Sequence, residues 1–353
     1  MYYLNQKVIT VFLLLLFLTT ISLSVFSAEV EDLLGRKVEL PERIDKIAAV
    51  GPGALRLVVY LEAENKIVGV EEFEKRSQER PYILAKPELL ELPDIGPQFG
   101  GDAELIAAEE PDLIITSYLT EAELKNLQNK TRTPVISIND GSAGSMTEKD
   151  LKDALSFLGK ILNKKERAAD LINYFEAEKD KLKSRIDNTT DSKKLYIGGI
   201  GNNGAQGITS TEAAYPPFEY LGLKNVIEAE DKKNFTISKE DLLLEDPEII
   251  FIDQGGIELV KSDLERDEYK YLQAYQNNNF YQLLPYNHYT TNFATMLANT
   301  YYIAKIIYPE EFEDIKPEAK ADKIYKKFVG QEVYSKMAEI FGGFKKMDSN
   351  KFN

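Results

Sequence analysis

Two stretches of this chain repeat one pattern, and that repetition narrows the fold more than any other feature. "ELIAAEEPDLIITS" (Glu104–Ser117) and "DLLLEDPEIIFID" (Asp241–Asp253) align on Pro111 and Pro247. Each runs from an apolar helix end through an acidic pair, a proline and another acid into a run of aliphatics. Proline cannot continue a helix, because it lacks the amide proton and its ring meets the preceding turn. The short apolar run that follows reads as a buried, parallel strand. A second echo pairs "YLEAENKIVGV" (Tyr60–Val70) with "YLGLKNVIEA" (Tyr220–Ala229), in the same order along the chain. The chain therefore reads as an α/β protein of two related, Rossmann-like lobes with parallel sheets and right-handed crossovers.

Between the echoes, Met146–Asn188 carries Leu151, Ala154, Leu155, Leu158, Ile161, Leu162, Ala168, Leu171, Ile172 and Phe175 at helical spacing. Thr147 with Asp150 forms a capping-box pattern at its start. The expectation is one long helix, broken at most once near Asn163, that joins the lobes and permits only small rocking. The implied division is a first lobe over 29–145, the helix over 146–188 and a second lobe over 189–353.

The first 28 residues have the layout of a secretory leader: Lys7, an apolar run from Val8, and "VFSAEV" for cleavage after Ser27 or Ala28. The expected mature protein is exported; an uncleaved membrane anchor is the other reading of this segment, though its apolar run is short for a span of roughly 20 residues. The chain carries no cysteine, hence no disulfide and no lipid-bearing Cys anchor. With 58 acidic against 43 basic side chains it is a poor partner for nucleic acid, which demands a basic face. His288 is the only histidine, so the three-His zinc hydrolase set is unavailable.

The stretch "KKLYIGGIGNNGAQGITSTEAAYPPFEYLG" contains G-x-G-x-x-G at Gly199, Gly201 and Gly204. A dinucleotide fingerprint needs its third glycine to open a helix whose N-terminus faces the pyrophosphate. Here Gly207, a polar "TSTE" and Pro216-Pro217 intervene before any helix, and the matching first-lobe loop is "GPGALR". The better reading is a ligand loop in which Asn202, Asn203 and Gln206 offer neutral donors and acceptors.

These pieces together resemble the substrate-binding proteins of ABC importers for iron–siderophore complexes, haem and cobalamin. The resemblance covers nearly all of the mature chain and rests on "GRKVELPERIDKIAAVGPGALRLVVYL", the paired "AAEEPDLII" and "LLLEDPEIIFID" units, and "NNNFYQLLPYNHY". It implies a binding protein without catalysis or intrinsic cofactor, acting as a monomer. Such a protein holds a ferric chelate, or failing that cobalamin, haem or another metal complex, in a cleft between the lobes and delivers it to an ABC permease.

Loops at the carboxyl ends of the strands would line that cleft. They supply Arg76, Tyr118, Asn202, Asn203, Gln206, Gln254, Tyr286, His288 and Tyr289 as candidate ligand contacts. Arg76 and Arg80 suit the carboxylates of an anionic chelate, whereas Glu71, Glu72 and Glu74 in the same stretch suit a cationic one, so both signs of cargo stay open; Tyr and His suit iron or apolar chelate faces. Family members carry a permease-docking Glu on the first helix of each lobe. That position falls on Arg56 in the first lobe, which leaves other acids such as Glu62 or Glu64 there or an altered permease contact, and on Glu212 or Glu219 in the second. An exported enzyme using the same cleft is the other class to consider, since paired carboxylates are available in so acidic a chain, though no nucleophile or metal motif is readable.

Overall fold

The computed structural model describes residues 28–139, 145–186, 193–201, 204–229 and 234–351. The expected leader over 1–28 lies outside this range except for its last residue, Ala28. An antiparallel hairpin of β1 (Ala28–Glu31) and β2 (Lys37–Leu40) opens the chain. Asp32 ties it to the first lobe by accepting from the Ser137 amide at 3.0 Å.

The first lobe holds a fully parallel sheet in the order β4-β3-β5-β6. Its strands are β3 (Ile47–Val50), β4 (Ile67–Gly69), β5 (Leu113–Thr116) and β6 (Val135–Ser137). The second lobe contains β7 (Leu195–Gly198), a small hairpin of β8 (Ser210–Thr211) and β9 (Phe235–Thr236), β10 (Ile249–Asp253), β11 (Phe280–Leu283) and β12 (Lys345–Met347). Its main sheet runs β12-β11-β10-β7. Strands β7, β10 and β11 are parallel, but β12 is antiparallel, so this sheet is mixed rather than purely parallel. The charged, exposed Lys345 and Lys346 suit an edge position and give no buried-strand signal.

The sequence echo is repeated bond for bond. In the first lobe the amides of Asp112 and Leu113 donate to the Lys46 carbonyl, at 2.9 and 3.3 Å. In the second, Glu248 and Ile249 donate to the Lys194 carbonyl, also at 2.9 and 3.3 Å. The side chain of each acid in turn accepts from the lysine amide, Asp112 at 2.9 Å and Glu248 at 3.2 Å. Each lysine ammonium meets the carbonyl two residues before the proline, Glu109 at 3.4 Å and Glu245 at 2.9 Å. The helix–proline–strand unit thus fixes the start of the β3–β5 pair in the first lobe and of the β7–β10 pair in the second.

The connector differs in one respect from a single helix over 146–188. Thr147 and Asp150 form the expected capping box. Helix Glu148–Ile161 then ends at Leu162, Asn163 takes φ 56°, and helix Lys165–Ile186 runs back along it. Lys179 near the end of the second helix pairs with Glu148 at the start of the first, at 2.6 Å. The reversal follows from the apolar stripes: laid end to end, Leu151, Leu155 and Leu158 would have no shared surface with Ala168, Leu171 and Phe175. Folded back, all six are buried together. The 22-residue second helix is the long one; at 1.5 Å per residue it spans about 33 Å. Its start donates from Arg167 to the Tyr60 carbonyl at 2.9 Å, and its end pairs Arg185 with Asp314 at 2.6 Å.

Helix Pro317–Val329 returns to the first lobe, where Phe328 sets its ring edge against Tyr60 at 5.0 Å. One continuous apolar core includes Leu57, Ile115, Leu155, Phe175, Phe251, Phe293 and Phe328. Because this core runs through both lobes, wide hinge opening would expose it to water.

Candidate functional site

After β3 the chain turns through Gly51-Pro52-Gly53, with both glycines left-handed at φ 91° and 84°. A Cβ on Gly51 would stand 2.7 Å from the Ser117 carbonyl oxygen. One on Gly53 would stand 2.7 Å from Nη2 of Arg56 and 2.9 Å from Cγ2 of Thr290. The second clearance matters because Arg56 and Thr290 belong to opposite lobes.

Arg56 lies within the otherwise apolar helix Ala54–Tyr60 and is 1 % exposed. Its Nη1 donates to the Thr290 carbonyl and its Nη2 to the Tyr289 carbonyl, each at 3.1 Å. Beside it, Arg80 is also 1 % exposed. Nη2 of Arg80 pairs with Glu74 at 2.6 Å, and Tyr82 donates to the same carboxylate at 2.9 Å. The Arg80 guanidinium lies 4.8 Å from the Phe73 ring centre, 5.5 Å from Tyr82 and 5.6 Å from Tyr289. Its Nε and Nη1 are buried without a hydrogen-bond partner among the described residues. Glu71 is buried too; it accepts from the Gly51 amide at 3.0 Å and from the Tyr289 hydroxyl at 2.8 Å. Burial pushes its carboxyl up to about 7, against the opposing hydrogen bond from Tyr289.

The second-lobe contribution is the loop between β11 and helix Phe293–Ile307. Tyr289 and Thr290 both take left-handed backbones, φ 56° and 63°, which aim their carbonyls at Arg56. Tyr289 also packs its ring on Phe73 at 4.4 Å and on the edge of Phe99 at 5.8 Å. The Tyr118 and Thr290 hydroxyls lie 3.0 Å apart. His288 Nε2 lies 3.0 Å from Ser77 Oγ, and burial with the nearby Arg80 charge pushes the imidazole down to about 4. Asn292 holds the loop in shape, donating to the carbonyls of Tyr286 at 3.1 Å, His288 at 3.0 Å and Thr290 at 3.3 Å.

Of the residues singled out from sequence, Tyr118, His288 and Tyr289 meet at this seam. The others do not. Arg76 is exposed and pairs with Glu72 at 3.2 Å, one helical turn away. Tyr286 turns into its own lobe, donating to buried Glu212 at 2.6 Å with its ring against Tyr215. Gln254 is buried and donates to Gln282 at 3.2 Å and to the Gly343 carbonyl at 2.5 Å, so both its bonds stay within the second lobe. Gln206 is half-buried, with its backbone oxygen against Gly256. Asn202 and Asn203 lie outside the described residues.

Glu212, bonded to Tyr286, presents no carboxylate at the surface, whereas Glu219 is exposed. Arg56 is not on a docking surface at all. The signal for its real place was legible: a lone arginine amid "GALRLVVYL" has only buried neighbours on its helix. Glu71, expected only as an attractor for a cationic chelate, and Phe73 gave no comparable signal for their places at the seam.

Several known proteins share this architecture. The chain is 24% identical over 322 residues to the molybdate-binding protein MolA of Haemophilus influenzae, covering 85% of this chain and 90% of that one. The structure of that protein with molybdate bound superposes with a TM-score of 0.69 at 21% identity, over 86% of this chain and 98% of the other. A periplasmic solute binding protein from Veillonella parvula gives a TM-score of 0.71 at 19% identity, over 89% and 96% of the two chains. The Ni(II)-bound CeuE of Helicobacter pylori gives 0.63 at 17% identity, over 89% and 99%. The family described as periplasmic binding protein matches residues 47–286, from β3 to the start of the cross-seam loop. The chain belongs to this periplasmic-binding-protein family, and its two α/β lobes on a helical backbone have the fold of these solved binding proteins.

Proposed function

We propose that the protein captures an anionic, metal-containing solute outside the membrane, at the seam between its lobes, and hands it unchanged to an ABC permease. It does so as a monomer, after removal of its leader. The observation that carries this reading is the pair Arg56 and Arg80, both buried at the seam of a chain whose net charge is −15. Burying a charge is expensive unless it is paired, and Glu74 balances only one of the two guanidiniums. Glu71, held up to about 7 by burial, adds less than a full negative charge near neutral pH. The likeness to a molybdate-binding protein supports the same sign of cargo.

A ferric chelate is the second reading. The aromatic rim of Phe73, Phe99, Tyr118 and Tyr289 favours it, since such rings suit the apolar parts of a chelate. The test is thermal stability of residues 29–353 against molybdate, tungstate, sulfate, phosphate, ferric hydroxamate, ferric catecholate, ferric citrate, haem and cobalamin. A true cargo at 100 times its Kd adds about 2.7 kcal/mol, a shift of a few degrees. Response to cobalamin alone would sink the anionic reading, and turnover of any candidate would sink the assignment as a pure binding protein.

A further inference from the structure

We propose that the Tyr289–Thr290 segment is a built-in competitor for the cargo. Its two peptide carbonyls hold the Arg56 donors that a compact oxyanion takes on binding, so the grip of the loop sets the affinity of the cleft. This inference rests on the anionic-cargo reading above.

The geometry is that of a guanidinium fork closed on two acceptors. Arg56 gives one N–H to each of two consecutive carbonyls, at 3.1 Å each. The same fork receives two oxygens of one anion wherever arginine binds carboxylate, phosphate or a similar oxyanion. Neutral carbonyls are the weaker partners for it, because a hydrogen bond between two ionised groups is stronger than one with a neutral acceptor. Bringing two successive carbonyls to one guanidinium also demands left-handed backbones at Tyr289 and Thr290, neither of which is glycine. The seated loop is therefore strained as well as outbid.

Three further features fit displacement. Besides the Tyr289 ring on Phe73 and Phe99, the grip on the first lobe uses single polar contacts: Tyr289 to Glu71, Thr290 to Tyr118, and His288 to Ser77. Asn292, by bonding three carbonyls of its own loop, lets the segment move as a unit. Next to Arg56, Arg80 keeps two buried guanidinium nitrogens, Nε and Nη1, with no hydrogen-bond partner among the described residues. Buried donors of that kind are rare in native structures, and an oxyanion in place of the loop carbonyls would bring acceptors to this edge of the seam.

The experiment is isothermal titration of the mature chain with molybdate, tungstate, sulfate and phosphate, using the wild type, Tyr289→Phe and Thr290→Val. The first substitution removes the hydroxyl bond to Glu71; the second removes the Thr290 hydroxyl bonds to Tyr118 and the Met146 amide. Circular dichroism and Tm check that both variants fold. Tyr289→Phe is expected to bind oxyanion about threefold to tenfold more tightly, the equivalent of one hydrogen bond lost from the competing arrangement, and Thr290→Val, which loses two, at least as much more tightly. Tightening for molybdate and tungstate alone assigns metal oxyanions; tightening for all four assigns any tetrahedral oxyanion.

In the wild type, amide exchange over residues 286–292 should speed up when molybdate is added. Affinity that weakens or stays level in both variants, or exchange that slows, overturns the proposal by making the loop an ordinary cargo contact. Failure of every oxyanion to bind any variant also overturns it. A ferric-chelate response in the stability panel would then leave the capture function standing, whereas silence across the panel would remove both.

Discussion

Tyr289 donates its hydroxyl proton to Glu71 across the lobe seam at 2.8 Å, and both residues are buried. That bond sits on a carboxyl whose pKa burial raises to about 7. A raised carboxyl binds its proton more tightly in the folded chain than in the unfolded one. The stability it allows is present at low pH and is lost as pH climbs from about 4.5 through 7. Asp253, fully buried and also pushed up to about 7, acts in the same direction. His288, pushed down to about 4, acts oppositely, losing stability as pH falls from about 6.5 toward 4.

Glu71→Gln should therefore raise Tm above the wild type at pH 8, with the gap closing as pH falls to 4.5. The expected gain is about 1–3 kcal/mol. Calorimetry at several pH values measures it, and a gap that is flat with pH would mean Glu71 does not titrate with folding.

The buried pair Arg80–Glu74 invites a double-mutant cycle. Arg80→Met leaves Glu74 and the Tyr82 hydroxyl in an apolar site, with an expected cost of about 3–5 kcal/mol. Adding Glu74→Gln removes the stranded charge and should return part of that loss. Urea denaturation of the four proteins tests this. Equal stability of the single Arg80→Met and the double variant would show that Glu74 is already neutral.

How much of this was readable beforehand depends on what a sequence pattern encodes. The duplicated helix–proline–strand unit was legible down to Pro111 and Pro247, because a proline stop and a buried aliphatic run are local features. Its consequence, the paired bonds to Lys46 and Lys194, follows from register alone. Apolar periodicity also placed both connector helices and the Thr147 cap. Periodicity says which face is buried but not which way the chain runs after Asn163, so the fold-back was not legible.

The site was harder. Tyr286 and Tyr289 are three residues apart in one loop, yet one ring enters the second lobe and the other crosses to the first. Nothing in "PYNHYTTN" distinguishes them. Gln254 looked like a ligand group for the same reason: a side-chain amide that donates inside its own lobe reads like one awaiting a partner in the cleft.

Gly53 should tolerate no side chain. Its φ of 84° disfavours any L-residue, and a Cβ would press on both Arg56 and Thr290. Gly53→Ala is expected to cost about 1–3 kcal/mol. It should also loosen the Arg56 contact with the loop, giving faster amide exchange over 286–292 than in the wild type. Exchange unchanged alongside a lowered Tm would confine the damage to the first lobe.

The two second-lobe acids expected at the permease separate cleanly by exposure. Glu219 ends the short helix Pro216–Glu219 at the surface, while Glu212 is buried against Tyr286. Glu219→Lys should reduce stimulation of the permease ATPase in proteoliposomes while leaving cargo affinity and Tm near wild type. Its surface position predicts a stability change within about 0.5 kcal/mol. Glu212→Gln should do the reverse. Weakening the bond to a buried tyrosine hydroxyl costs about 1–3 kcal/mol, and permease stimulation at saturating cargo should hold. If both variants stimulate normally, second-lobe docking uses neither acid, and the contact must be sought on other surface carboxylates of that lobe.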